Sequence, residues 1–243
     1  MTVISGAVFM FEKIGILGGL SPESTIIYYQ RIVRRCHEFF GDHTYPEIVV
    51  YSVNFQRFID WMSRERWDKI TEQLVKDVRS LTGAGADFAL IATNTMHIVY
   101  QEVQRRSPIP IISIIKATAE AVNKDGVDKT GLLGTRFTMG KSFFKKGLAD
   151  YGIDTVVPEK GDREYVDKVI FDELCRGVIE TGSRERVLRI IGDLVSEGAE
   201  GIILGCTEIP LLIKPEHTSA KLFDTAIIHA DKALELALNS PVK

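Results

Sequence analysis

The sequence predicts an α/β protein: two pseudo-symmetric α/β domains, each with a mainly parallel sheet flanked by helices, and a site in the cleft between them. Three observations carry this. Short apolar runs alternate along the chain with stretches of helical period, the pattern of parallel strands joined by crossover helices. Residues 85–95 (GADFALIATNT) recur as residues 198–208 (GAEGIILGCTE), an offset of 113 that sets Thr93 against Cys206. Residues 13–19 (KIGILGG) recur as residues 129–135 (KTGLLGT) at the nearly equal offset of 116. In open α/β sheets, ligands bind beyond the carboxyl ends of the strands. A strand end written twice, once with a hydroxyl and once with a thiol, points to a site shared by two related halves.

The elements follow in order. Residues 1–12 read as an extension, mildly apolar to Phe11, without a basic leader region and too short to span a bilayer. The first buried strand closes in a turn at Gly18 and Gly19. Ser21 is placed to cap the following helix and Pro22 suits its first position. Ile26, Tyr29, Ile32, Val33, Cys36 and Phe40 recur at helical spacing and are expected to form its buried face. Residues 47–53, rich in β-branched side chains, form the second strand. A turn and short helix run to Met62, and a long helix over 64–82 turns Leu74, Val78 and Leu81 inward. Gly83 ends that helix, and the strand that closes at Thr93 follows. The helix over 95–106 stops at Ser107-Pro108.

The plan then repeats. A strand at 109–112 and a helix over 117–123 precede the strand that begins at Lys129. A helix, a strand at 153–157 and helices over 163–179 and 184–197 lead to the strand ending at Cys206. A short strand at 221–223 and a closing helix over 225–238 complete the chain. The expected bounds are 13–108 plus 221–243 for the first domain and 109–220 for the second, with the closing helix packed back on the first half.

Composition narrows the function classes. A length of 243 residues accommodates one large domain or two of about 120. The chain is 45% hydrophobic and 26% charged, which places it among ordinary soluble globular chains. A net charge of −3 without a long basic run favours neither nucleic acid nor a membrane surface as partner. The three cysteines, Cys36, Cys175 and Cys206, have neither CxxC nor zinc spacing, so no metal site is expected. Their odd number rules out a complete disulfide framework and fits a reducing, cytoplasmic location.

Cys206 carries the strongest chemical signal. It lies between Gly205 and Thr207 at a strand-to-helix turn, where a helix N-terminus lowers a thiol pKa and supplies thiolate. Cys36 and Cys175 fall on apolar helix faces and read as packing residues. Thr93 alone would be a helix cap; its equivalence with Cys206 is what raises it to a candidate. Asn94, Thr95 and Thr207 offer donors at helix starts, suited to an anion. Gly18, Gly19, Gly134 and Thr135 form the two matching turns, which lack the dinucleotide pattern. His97 reads as structural. Arg136, Lys168 and Arg176 are candidates to pair with substrate carboxylates, although solvated helix faces account for the same residues.

These motifs resemble the cofactor-independent aspartate/glutamate racemase family. Residues 14–25 (IGILGGLSPEST) resemble its opening glycine loop, which includes Leu20. Thr93-Asn94-Thr95-Met96-His97 resembles its first catalytic motif and Gly205-Cys206-Thr207-Glu208-Ile209 its second. Leu133-Gly134-Thr135-Arg136 and Phe223-Asp224-Thr225 have counterparts too, so the resemblance spans about residues 13–238. It implies an enzyme without pyridoxal phosphate or metal, a small amino-acid or dicarboxylate substrate and a homodimer. It also implies catalysis by two groups on opposite faces of the α-carbon. Thr93 stands where the family usually has cysteine, as in the subgroup similar to L-aspartate/glutamate-specific racemases. Cys206 and Thr93 are then the catalytic pair, with Leu20, Asn94, Thr95, Thr135 and Thr207 binding substrate. Two other readings stay open: an isomerase or decarboxylase of a small dicarboxylic acid, and a binding protein without catalysis.

Overall fold

The computed structural model describes residues 11–239, so the extension expected over 1–12 lies almost wholly outside the described residues. The first half runs β1 (Ile14–Gly18), α1 (Pro22–Phe40), β2 (Ile48–Ser52), α2 (Phe55–Ser63), α3 (Trp67–Gly83) and β3 (Phe88–Ile91). A 3-10 turn (Thr95–Val99), α4 (Tyr100–Arg106), β4 (Ile111–Ile112) and α5 (Ile114–Lys124) follow. The second half runs β5 (Lys129–Gly134), α6 (Arg136–Gly140), α7 (Ser142–Ala149), β6 (Asp154–Val156) and α8 (Lys160–Asp172). A 3-10 turn (Leu174–Arg176), α9 (Thr181–Ser196), β7 (Gly201–Gly205), α10 (Ile209–Leu212), β8 (Lys221–Asp224) and α11 (Thr225–Asn239) complete it.

Each half builds a parallel four-stranded sheet, ordered β2-β1-β3-β4 and β6-β5-β7-β8. The orders correspond, so β3 and β7, which lead to Thr93 and Cys206, occupy the same place beside the central strand of each sheet. Side chains alternate across the strands as the period of two requires. Phe88 and Leu90 of β3 pack toward α1 and α11, while Ala89 and Ile91 pack toward α2 and α3.

The expected domain bounds are corrected by one strand each. Residues 111–112 pair with β3 of the first sheet, and residues 221–224 pair with β7 of the second. Each strand is followed by a helix that crosses to the other half. Ile114, Ile115 and Val122 of α5 pack with Leu132, Ile203 and Phe223 of the second sheet. Ala226, Ala230 and Ala233 of α11 pack with Ile14, Ile16, Phe88 and Leu90 of the first. This exchange ties the halves together with buried apolar surface on both sides of the cleft.

The buried face of α1 also differs from expectation. Tyr28, Ile32 and Cys36 are fully buried, whereas Ile26 and Tyr29 are 55% and 45% exposed. The alanine stripe of α11 admits the former set, and the latter lie on the outside. Spacing alone did not locate the stripe, because apolar residues sit on both sides of this helix.

Two neutral histidines pin the seam between the halves. His97 accepts the Ile114 N–H on Nε2 at 3.1 Å, which leaves its Nδ1–H to donate to the Thr93 carbonyl at 2.9 Å. His229 donates from Nε2 to the Ile112 carbonyl at 3.0 Å and accepts the Tyr28 hydroxyl on Nδ1 at 2.9 Å. Burial pushes the His97 pKa down to about 4 and the His229 pKa down to about 3. An unfolded histidine takes up its proton near pH ~6.5. Below that pH the unfolded chain binds protons that the native rings refuse. Stability is therefore expected to fall on acidification, by about 1.4 kcal/mol per pH unit for each ring, until the folded pKa is reached. Urea unfolding at a series of pH values checks this. A midpoint that stays flat from about pH 6.5 to about 5 would mean the native rings are already charged.

Candidate active site

The carboxyl ends of β3 and β7 open into one narrow cleft. Thr93, Asn94, Thr95 and Leu20 reach it from the first half, and Thr135, Cys206 and Thr207 from the second. The structure thus brings these seven candidates to one place, while Gly18, Gly19 and Gly134 of the two turns do not line it. Gly19 makes the entry of Leu20 possible: its φ is +78°, and an added Cβ would lie 2.6 Å from the backbone of Val53.

Thr93 is 8% exposed. Its carbonyl is held by His97, and among the described residues its hydroxyl has no hydrogen-bond partner. The adjoining 3-10 turn begins after Asn94 and has no side-chain cap, so capping does not occupy Thr93. Asn94 instead donates to the Thr225 hydroxyl at 2.9 Å, which donates to the Leu204 carbonyl at 2.9 Å. The Thr95 and Thr135 hydroxyls meet across the halves at 3.0 Å. These bonds register one strand end against the other and leave hydroxyls on the cleft floor.

Cys206 is 7% exposed, and its thiol donates to Glu208 Oε2 at 2.9 Å. The same oxygen accepts the Thr207 hydroxyl at 3.0 Å, and Oε1 accepts the Ser21 hydroxyl. Burial first, and then the Glu208 charge, push the thiol well above its ordinary pKa. The thiolate expected from a helix N-terminus is corrected accordingly. The helix that follows has a single turn, Ile209–Leu212, and a buried carboxylate outweighs so short a dipole. Cys206 rests as a thiol with a proton acceptor already bonded to it.

Sequence reasoning missed three residues here. Glu208 was in the quoted motif without a role. Ser21 was expected to cap α1, but its hydroxyl makes no cap bond and serves Glu208 across 187 residues of sequence. Cys175, expected on an apolar helix face, lies in the 3-10 turn after α8 and lines the cleft with Ile170 and Phe171. Burial, and after it Glu208, raise its thiol too. The residue count gave no signal for Cys175. For Glu208, its place two residues after a nucleophile candidate was the available one.

The cationic candidates are elsewhere. Arg136, Lys168 and Arg176 are exposed and none of them lines the cleft. The Arg136 guanidinium stacks on Phe137, 4.8 Å from the ring centre. Among the described residues no group of three or more His, Cys, Asp or Glu is gathered for a metal, and no helix is long and apolar enough to cross a membrane.

Comparison with known proteins completes the description. Residues 17–233 match the family described as Asp/Glu/hydantoin racemase. A broad specificity amino-acid racemase, RacX of Bacillus subtilis (strain 168), is 22% identical over 216 residues, or 88% of this chain and 92% of that one. An aspartate racemase homologue from Pyrococcus horikoshii OT3 superposes with a TM-score of 0.81 at 42% identity, covering 93% of this chain and 99% of the other. The Picrophilus torridus aspartate racemase has the same fold, with a TM-score of 0.74 at 22% identity over 93% of this chain and 94% of that one.

Proposed function

The chain belongs to the Asp/Glu/hydantoin racemase family, and on that footing we propose that it interconverts the two enantiomers of an α-amino acid, with Cys206 and Thr93 on opposite faces of the α-carbon. The observation that carries this reading is the single cleft onto which both strand ends open, one with a thiol bonded to a carboxylate and the other with an unengaged hydroxyl.

The steps follow from the hydrogen bonds. Glu208 takes the Cys206 proton through the existing bond, an uphill transfer because burial and the Glu208 charge hold the thiol above its ordinary range, so thiolate is a minor, reactive form. The thiolate so formed removes the α-proton of the enantiomer that faces it. Thr95, Thr135 and Thr207 line the same cleft and are assigned to the substrate carboxylate, where fixed dipoles cost no reorganisation. Thr93, or a water held by it, gives a proton to the opposite face. A hydroxyl is acidic enough to protonate a carbanion, although it is a poor base. The proton left on Glu208 and the base left beside Thr93 neutralise each other through solvent as product leaves. Holding the α-carbon between both groups supplies the remaining advantage.

The acidic substrate implied by the sequence resemblance is one member of this class. The test is α-hydrogen exchange in D₂O, followed by proton NMR and chiral chromatography over a panel of L- and D-amino acids. Deuterium gain with inversion is expected. Carbon dioxide release from a dicarboxylic acid would replace this reading with a decarboxylase. Binding with neither reaction would replace it with a non-catalytic protein.

A further inference from the structure

We propose that the first half carries a second small-molecule site, apart from the cleft, that binds a free zwitterion: one ammonium and one carboxylate on a short polar frame. The site is an open pocket of about 150 Å³ at the carboxyl end of β2. It is lined by Tyr51 and Ser52 of β2, Asn54 and Arg57 at the start of α2, and Gln73 and Asp77 of α3. It shares no lining residue with the cleft. Helix α2 serves both, with Phe55 in the cleft and Arg57 in the pocket.

Asp77 supplies half of the recognition. It is 1% exposed. Gln73 donates to its Oδ1 at 2.8 Å, while Oδ2 is buried and accepts no hydrogen bond among the described residues. A buried carboxylate oxygen in that condition costs free energy, which a charged donor returns. Burial raises the Asp77 carboxyl, and Gln73, Arg57 and Tyr51 offset that rise only in part. A ligand ammonium at Oδ2 brings both the missing donor and the opposite charge. Arg57 supplies the other half. It is exposed and lies over the Trp61 ring at 6.0 Å, and among the described residues it makes no ion pair. Its charge acts on Asp77, yet the two side chains do not close on each other. Opposite charges therefore stand apart in one pocket. A ligand with a single charge satisfies one of them and leaves the other, whereas a zwitterion meets both. Tyr51, Ser52 and Asn54 add neutral polar groups suited to a short hydroxylated side chain.

Titration calorimetry tests this with three probes: L-serine, ethanolamine, which lacks the carboxylate, and 3-hydroxypropionate, which lacks the ammonium. Each is titrated into the wild type, Asp77→Asn and Arg57→Gln. Binding needs no turnover, so the outcome is independent of the racemase reading. One serine-binding event of the wild type is expected to weaken roughly 10-fold or more in each variant, the worth of one charged hydrogen bond. Each single-charge probe is expected to bind the wild type at that event more weakly than serine by a similar factor. Serine that enters only the cleft binds the wild type and both variants alike, and that result overturns the proposal. So does an absence of saturable serine binding, or a single-charge probe that binds as tightly as serine. Arg57 is exposed, so Arg57→Gln decides the matter even where Asp77→Asn fails to fold.

Discussion

Cys206→Ala is expected to abolish α-hydrogen exchange, and Glu208→Gln to slow it by roughly 100- to 10,000-fold, the range of a lost general base. The two losses have different causes. Alanine removes the group that takes the α-proton. Glutamine keeps the shape and an oxygen to accept a hydrogen bond from Cys206 but cannot take its proton. A second readout separates this from simple damage. Burial and the Glu208 charge together raise the Cys206 pKa. Removing the charge takes away the second-largest cause of that rise, so the pH midpoint for alkylation of Cys206 should move down in Glu208→Gln. The variant should thus form thiolate at lower pH and still turn over more slowly, because the thiol proton must now go to solvent. Cys36→Ser serves as the control: that side chain is buried against the first sheet, away from the cleft. Exchange at the wild-type rate in Glu208→Gln would remove the carboxylate from the mechanism.

The parts of this molecule that were legible in the sequence are those written locally. The apolar runs of β1, β3, β5 and β7 are short and bounded by small polar residues, and their repetition at two similar offsets pairs Thr93 with Cys206. The parts that stayed hidden depend on partners far along the chain. Ser21 meets Glu208 from the other half, and a capping position is indistinguishable by sequence from a second-half contact. Strand β4 has two residues, too few to declare which sheet it joins, so the bounds at 108 and 220 slipped by one strand. The buried face of α1 depends on the alanines of α11, almost two hundred residues away. The pKa of Cys206 followed the same rule: the local motif argues for a depressed thiol, and the tertiary environment reverses the sign.

Thr93→Cys is expected to raise α-hydrogen exchange of one enantiomer by roughly 10-fold or more while changing the other little, on the ground that a thiol supplies thiolate where an alcohol does not. A free thiol ionises near pH ~8.5, and an aliphatic alcohol is far weaker, so Thr93 can donate a proton but rarely removes one. The enantiomer that directs its α-hydrogen at Cys206 is therefore deprotonated readily in the wild type. Its mirror image directs that hydrogen at Thr93 and exchanges slowly. By the sequence resemblance, the fast form is the L enantiomer. A free racemisation has an equilibrium constant of unity, so kcat/KM is equal in the two directions whatever the active site. The asymmetry is confined to exchange rates and to kcat and KM taken separately. Cysteine at position 93 places a thiol on the slow face without disturbing the His97 bond, which is made to the backbone carbonyl. Thr93→Ser, which keeps a hydroxyl there, should leave the asymmetry in place. Initial deuterium uptake by each enantiomer in D₂O, for the wild type and both variants, decides the matter. Equal uptake of the two enantiomers by the wild type would show that Thr93 does not define a weaker face.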